Sequence, residues 1–148
     1  MRRVHGVLAL ALAFSAGCDS STEPEVVWVV SLGLLMPLSI VSTVVVPDTV
    51  VAGQQVPVIV NTVGSSSCTR PAGVVIVGAG TSHQTLTPLD SIAVRAAACT
   101  DDLAPRPHPA VLTFQQAGSA TIRVQGYVID QSGQRRVGGM EREIVVRP

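Results

Sequence analysis

The sequence predicts an all-β protein, with an antiparallel β-sandwich of about seven or eight strands across residues 26–148. Segments rich in valine alternate with stretches rich in Gly, Pro, Ser and Thr, which favours strands separated by turns. After residue 50 no segment has the repeat of an amphipathic helix. Many short strands without predicted helices are typical of two packed sheets.

The first predicted strands lie in the most apolar part of the chain, residues 26–46. This segment is about as long as a membrane-spanning helix, which needs roughly 20 apolar residues. Gly33, Pro37 and the many β-branched residues instead favour two strands, at 26–34 and 39–46, with a break near Pro37. Two strands are the preferred interpretation, and a membrane-inserted segment is the alternative.

A strictly alternating strand follows a turn at Pro47-Asp48 and a second turn at Gly53. One face of this strand carries Val56, Val58 and Val60, and the other carries Gln55, Pro57, Ile59 and Asn61. Pro57 has no N–H to donate to a neighbouring strand, so we expect it at a sheet edge or a bulge.

The remaining strands are predicted at 74–77, 81–86, 91–97, 111–114, 119–130 and 141–147. In the segment 119–130 alternate residues Ile122, Val124 and Val128 form one apolar face. The glycine-rich stretch 131–139 is predicted to be the loop before the last strand. Residues 26–148 are thus expected to form one domain.

Residues 1–17 have the composition of a secretory signal. Arg2 and Arg3 provide the positive start, an apolar run follows at 7–14, and three small residues precede Cys18. The apolar run is too short to span a bilayer as a helix. We therefore expect this segment to be removed from an exported mature protein.

The last four residues around the expected cut, "SAGC", resemble the lipobox of bacterial lipoproteins. The resemblance implies a diacylglyceryl group on the Cys18 thiol, cleavage between Gly17 and Cys18, and fatty acylation, such as palmitoylation, of the new amino group. It also implies a lipid anchor in the cell envelope, on the exported side of the inner or outer membrane. Ser15 departs from the leucine most usual at its position, and a plain secretory signal is the alternative. Residues 18–25 then form the lipidated cysteine and a polar tether.

Two stretches of the domain resemble bacterial immunoglobulin-like domains. "VVVPDTVVAGQQVPVIV" is similar to their opening strands, and "QQAGSATIRVQG" is similar to their penultimate strand. Together these stretches cover less than a third of the chain. The resemblance implies an immunoglobulin-like sandwich that acts as a surface or spacer module with an envelope protein as partner.

Charge and aromatic content weigh against several kinds of ligand. After removal of residues 1–17, eight arginines face ten acidic residues, a net charge near −2. Such a chain has no electrostatic reason to bind nucleic acid. Its aromatic residues are Trp28, Phe114 and Tyr127, too few for an expected sugar-binding or base-stacking face.

Cys68 and Cys99 are the two cysteines of the predicted domain. An exported pair in an oxidising compartment is most simply a disulfide, which leaves Cys18 for the lipid. The alternative is a metal site, because Cys68, Cys99, His108 and Asp101 are ligand types that zinc accepts, as are Asp102 and His83. No CxxC or HxxxH spacing supports that site, and the prolines of "PRPHP", residues 105–109, are expected to hold His108 in an extended loop. No metal or other cofactor is therefore expected.

Catalytic motifs are missing from the sequence: it contains no GxSxG, HExxH or phosphate-binding loop. The glycines at 73, 78 and 80 resemble a dinucleotide fingerprint, but no predicted helix follows them. We therefore expect a non-enzymatic structural or protein-interaction module at the envelope. The alternative function is a small-ligand or metal-binding module at the Cys68/Cys99/His108 end.

Overall fold

The computed structural model describes residues 25–36, 42–96 and 98–148, and these residues form an all-β structure. The described part contains no helix, and so none that is long and apolar enough to cross a membrane. The strands are β1 (Trp28–Leu32), β2 (Val44–Val45), β3 (Thr49–Val51), β4 (Gln55–Gly64), β5 (Thr69–Val77), β6 (His83–Ala93), β7 (Ala104–Thr113), β8 (Gly118–Ile129) and β9 (Arg135–Arg147).

The described strands form two sheets. The larger sheet has the order β1-β6-β8-β9-β3, with β5 paired along β6 as a sixth strand, and the smaller sheet has the order β2-β4-β7. Since β5 runs along most of one edge of β6, β8 and β1 share the opposite edge, one after the other. Pro88 lies between them, where its carbonyl oxygen accepts a hydrogen bond from the Gly33 amide at 2.9 Å. The ring nitrogen of Pro88 faces this edge of β6 too. It lies in the gap between β8 and β1, where no neighbouring strand requires a backbone N–H.

The apolar core lies between the two sheets. The predicted alternation in β4 is confirmed, because Val56, Val58 and Val60 are buried whereas Gln55, Pro57 and Ile59 are exposed. The largest fully buried apolar side chains come from both sheets: Leu86, Leu112, Phe114 and Ile122. Aliphatic side chains therefore fill most of the space between the sheets.

The sheets are mixed, which corrects the expectation of a wholly antiparallel arrangement. Among the described strands, five pairings are antiparallel, but β3 pairs with β9 and β6 pairs with β8 in parallel. Parallel neighbours need a long connection between them. Here β6 and β8 are joined through β7, which lies in the other sheet.

The apolar segment 26–46 contains β1 and β2 within the two predicted strand ranges. The predicted break near Pro37 lies outside the described residues. After β1 the chain passes between the sheets, since Leu34 forms isolated bridges both to Val63 of β4 and to Tyr127 of β8. β1 thus leads the chain across one end of the core.

Four strands are longer than predicted, and one of them is β5, which begins at Thr69 and not at Val74. The two segments expected at 81–86 and 91–97 are one strand, β6, and β9 begins at Arg135 inside the predicted loop 131–139. The stretch 105–109, expected to be an extended loop, lies within β7. Its prolines led to this error.

The prolines of β7 occupy every second position, at Pro105, Pro107 and Pro109. In the pairing with β4, the N–H donors of β7 therefore come from the residues between the prolines. The proline nitrogens face the edge of β7 away from β4. On the far side of β4, the Asn61 amide donates to the Thr43 carbonyl oxygen at 2.8 Å, so odd-numbered β4 residues face β2. Pro57 therefore faces that edge beyond the end of β2, which confirms its predicted edge position.

Candidate functional site at the disulfide end

Cys68 and Cys99 form a disulfide, as the sequence predicts, with their Cα atoms 5.5 Å apart. Cys68 is buried at the start of β5, whereas Cys99 lies exposed in the loop between β6 and β7. The bond therefore joins the entrance and the exit of the β5–β6 hairpin.

Hydrogen bonds reinforce this junction around Thr100 and Asp102. The Ser66 amide donates to Asp102 Oδ1 at 2.9 Å, and the Thr100 amide donates to Ser67 Oγ at 2.9 Å. The Thr100 hydroxyl also lies 2.8 Å from the Ser66 hydroxyl and contacts the Asp102 carboxylate. The Ser66 amide and then the Thr100 hydroxyl, by stabilising the carboxylate, lower the pKa of Asp102 below its ordinary value of 3.8.

A polar network lies in the core a short distance inside this junction. Asp90 of β6, Thr62 of β4 and His108 of β7 are all at most 2% exposed. His108 Nε2 lies 3.0 Å from both Asp90 Oδ1 and Thr62 Oγ1, and the Thr62 hydroxyl donates to Asp90 Oδ2 at 2.8 Å. The other ring nitrogen, Nδ1, lies 3.2 Å from the Gly73 carbonyl oxygen of β5. The network thus joins both sheets.

The partners of His108 fix where its protons are. A carbonyl oxygen only accepts hydrogen bonds, so Nδ1 carries a hydrogen toward Gly73. The Thr62 hydroxyl donates to Asp90 Oδ2, and His108 Nε2 contacts the other carboxylate oxygen, Oδ1. Every side-chain polar atom of the three residues has a partner, as a buried charged pair requires.

A cavity of about 240 Å³ opens beside this network, at the end of the structure that carries the disulfide. Most of the cavity wall is apolar, and its charged residues are Asp90 and Arg135. The larger apolar residues of the wall are Leu32, Leu34, Val63, Ile92 and Leu103, and both cysteines of the disulfide also line it. This shape suits a small, largely apolar guest with one polar group.

The structure does not gather the residues of the alternative metal site. Both cysteine sulfurs are in the disulfide, His108 points into the core network, and Asp101 is exposed in the loop. In the described ranges no group of three or more His, Cys, Asp or Glu residues could hold a metal ion. His83 is exposed at the start of β6, and Cys18 lies outside the described residues.

Sequence reasoning missed Asp90 and Thr62 as partners of His108. The available signal was the alternation in β6, where Gln84, Leu86, Pro88 and Asp90 all face the core. An acidic residue at an inward position requires a buried partner. The strands predicted at 81–86 and 91–97 leave out residues 87–90, so this continuous alternation was divided between two segments. No protein-family model, curated protein or solved structure matches this chain.

Proposed function

We propose that this protein is a bacterial lipoprotein anchored through Cys18, whose β-sandwich is a structural or protein-interaction module at the cell envelope. The observation that carries the proposal is the sequence "SAGC" directly after a signal-like segment. The disulfide supports it, because pairing of Cys68 with Cys99 leaves Cys18 as the single further cysteine of the chain. A disulfide also suits an exported domain.

Anchoring through one residue is physically sufficient. Each buried methylene contributes roughly 0.8 kcal/mol, and stable membrane attachment takes two signals, such as two acyl chains. A diacylglyceryl group with a third, amide-linked chain meets that condition at Cys18 alone. Residues 19–25 then separate the anchor from the first strand.

The immunoglobulin-like assignment of the domain belongs to the same proposal. It is supported by the two sheets around one core and by the two sequence stretches that resemble the family, which contain β2 to β4 and the start of β8. The parallel pairing of β6 with β8 departs from the antiparallel sheets of that architecture. We therefore propose a variant sandwich in which the β5–β6 hairpin is placed differently.

A non-enzymatic role is part of the proposal. The buried acid and imidazole, Asp90 and His108, are hydrogen-bonded to each other, to Thr62 and to Gly73. Their contacts suit a role in holding the sheets together. The exposed surface of the module is therefore the part that contacts a partner.

The anchor is tested by intact mass and fatty-acid labelling of the mature protein isolated from membranes. We expect a chain that begins at Cys18 and carries acyl mass, and we expect Cys18→Ser to abolish the label. Ser20→Ala, two residues away, is the matched control and keeps it. Mature protein that starts elsewhere and carries no lipid contradicts the proposal. Crosslinking in intact envelopes, followed by isolation of the anchored protein, identifies the partner.

A second candidate function, binding of a small ligand at the disulfide end, is favoured by the cavity beside Asp90. Native mass spectrometry of protein purified from envelopes tests it, and the expected result is a small molecule bound in addition to the lipid. Leu103→Trp would fill the cavity and displace that molecule. Val111→Trp, at a similarly exposed residue outside the cavity wall, is the control that retains it. Protein that carries no extra mass contradicts this candidate.

A further inference from the structure

An exposed apolar surface surrounds β1, the first described strand. We name it the β1 patch, and its members are Val26, Val27, Val29, Val30 and Val94, each between 37% and 60% exposed. The Val94 amide donates to the Val27 carbonyl oxygen at 2.8 Å, which joins the residue after β6 to the residue before β1. Val26 and Val30 project from one face of this edge strand, whereas Val27, Val29 and Val94 project from the other face, so the patch flanks the edge of the larger sheet at β1.

An aromatic ring and a cation lie on the same end of the sheet. The Arg70 guanidinium lies 4.1 Å from the centre of the Trp28 ring, as in a cation–π contact. Arg70 and Val30 are both opposite Ser91 in β6, so they share the outer face of the sheet. Valines around a tryptophan and an arginine have the chemistry of side chains at a membrane–water interface.

We propose that the β1 patch rests against the surface of the membrane that holds the Cys18 lipid. This inference rests on the proposed lipidation. Val26 lies eight positions after Cys18, and a chain extends by at most 3.3–3.6 Å per residue, so the start of the patch lies within about 29 Å of the anchor. The patch is therefore the part of the domain that the anchor brings nearest to the lipid.

The tether lowers the affinity that such contact needs. A short linker converts docking into an intramolecular step with an effective concentration in the millimolar range. Arg70 and Arg95 are exposed near the patch and suit lipid phosphates, whereas Glu25 at the margin is the opposing charge. The mature chain has a net charge near −2 and so no overall electrostatic attraction to an anionic membrane, which makes docking depend on the anchor and on the patch.

Trp28 is the single tryptophan of the chain, and it lies within the proposed contact. The test uses the mature lipidated protein in phosphatidylcholine–phosphatidylglycerol vesicles that contain doxyl-labelled lipid. We expect strong quenching of Trp28 fluorescence by shallow labels, and we expect Val30→Asp and Val27→Asp each to reduce it at least twofold. Val77→Asp, at the far end of β5 and 61% exposed against 60% for Val30, is the matched control and leaves quenching unchanged.

Flotation of the vesicles separates this inference from the proposed function. Protein that carries lipid and floats, but whose Trp28 is not quenched by the labels, overturns the docking and leaves the anchor standing. Trp28 that is shielded from both labelled lipid and aqueous acrylamide also overturns it, because a second copy or another protein then covers the patch. Protein that has no lipid and does not float overturns both the docking of the β1 patch and the proposed lipid anchor. Quenching in the unaltered protein supports the inference without reference to the variants.

Discussion

The Nδ1 atom of His108 lies 3.2 Å from the Gly73 carbonyl oxygen, across the space between β7 and β5. Because proline has no N–H, the edge of β7 that faces β5 lacks backbone donors at its three prolines. β7 and β5 therefore do not pair through backbone hydrogen bonds. The imidazole ring supplies the N–H that the backbone lacks. Gly73 follows a register shift in β5 and has a φ of 125°, which orients its carbonyl oxygen toward the ring.

Gly73→Ala is expected to destabilise the protein by about 1–3 kcal/mol, because L residues rarely adopt this φ. An added Cβ would meet no atom within 4 Å, so the cost comes from the backbone and not from a clash. Denaturant unfolding measures the loss. Ala72→Ser, at the exposed preceding residue, is the control, and equal stability of Gly73→Ala and the unaltered protein would contradict the prediction.

Removal of one partner from the buried network is expected to be severe. Asp90→Ala or His108→Ala should each lower the free energy of unfolding by about 3–5 kcal/mol, because each leaves the other group buried without its partner. The double variant Asp90→Ala/His108→Ala should cost less than the sum of the two single changes. Additive losses in denaturant titrations would show that the pair does not interact.

Asp48→Ala is the control for that series. Asp48 forms an ion pair with Arg142 at the surface, and exposed pairs contribute about 0–1 kcal/mol. We therefore expect its loss to be small. A large effect at Asp48 would mean that burial does not determine which ion pairs matter in this protein.

Reduction of the disulfide is expected to destabilise the protein by about 3.5–4 kcal/mol in the chain-entropy model, for cysteines 31 residues apart. A domain of this size changes its Tm by roughly 2–8 °C per kcal/mol, so the oxidised form should melt many degrees higher. Cys99→Ala isolates the bond, since Cys99 is exposed, whereas Cys68→Ala also empties a buried position. Identical melting with and without reductant would contradict this prediction.

The junction around Asp102 is expected to loosen in acid. Because the pKa of Asp102 is lower in the folded protein than its ordinary value of 3.8, the ionised carboxylate favours the folded junction above that value. The contribution is lost as pH falls through the lower, folded pKa. The NMR shift of the Ser66 amide should report this titration, and Asp102→Asn should abolish it. Asp101→Asn is the neighbouring control that keeps the titration.

Local pattern predicted the parts of this fold that depend on one strand at a time. The alternation of Val56, Val58 and Val60 predicts a strand with one buried face, and two cysteines in a domain expected to be exported predict a disulfide. Neither inference depends on which strands are neighbours in the sheets. These features followed from the sequence for that reason.

Relationships between distant strands did not follow from the sequence. The parallel pairing of β6 with β8 depends on how the chain crosses between sheets, which no local pattern encodes. His108 was assigned to a loop because prolines on both sides of it are rare in strands. These prolines are tolerated because all of them face the same unpaired edge. Only the arrangement of β4, β5 and β7 reveals that edge.

The disulfide also changes the order in which the sheets can form. Gly64 at the end of β4 pairs with Ala104 at the start of β7, although the chain between them includes the whole β5–β6 hairpin. In the oxidised chain, Cys68–Cys99 provides a short covalent path between the same two residues, through 65–68 and 99–103. Closing a shorter loop costs less entropy, and lower contact order speeds folding. The bond thus converts a long-range strand pairing into an almost local one, so that β4 and β7 can serve as a nucleus for the smaller sheet.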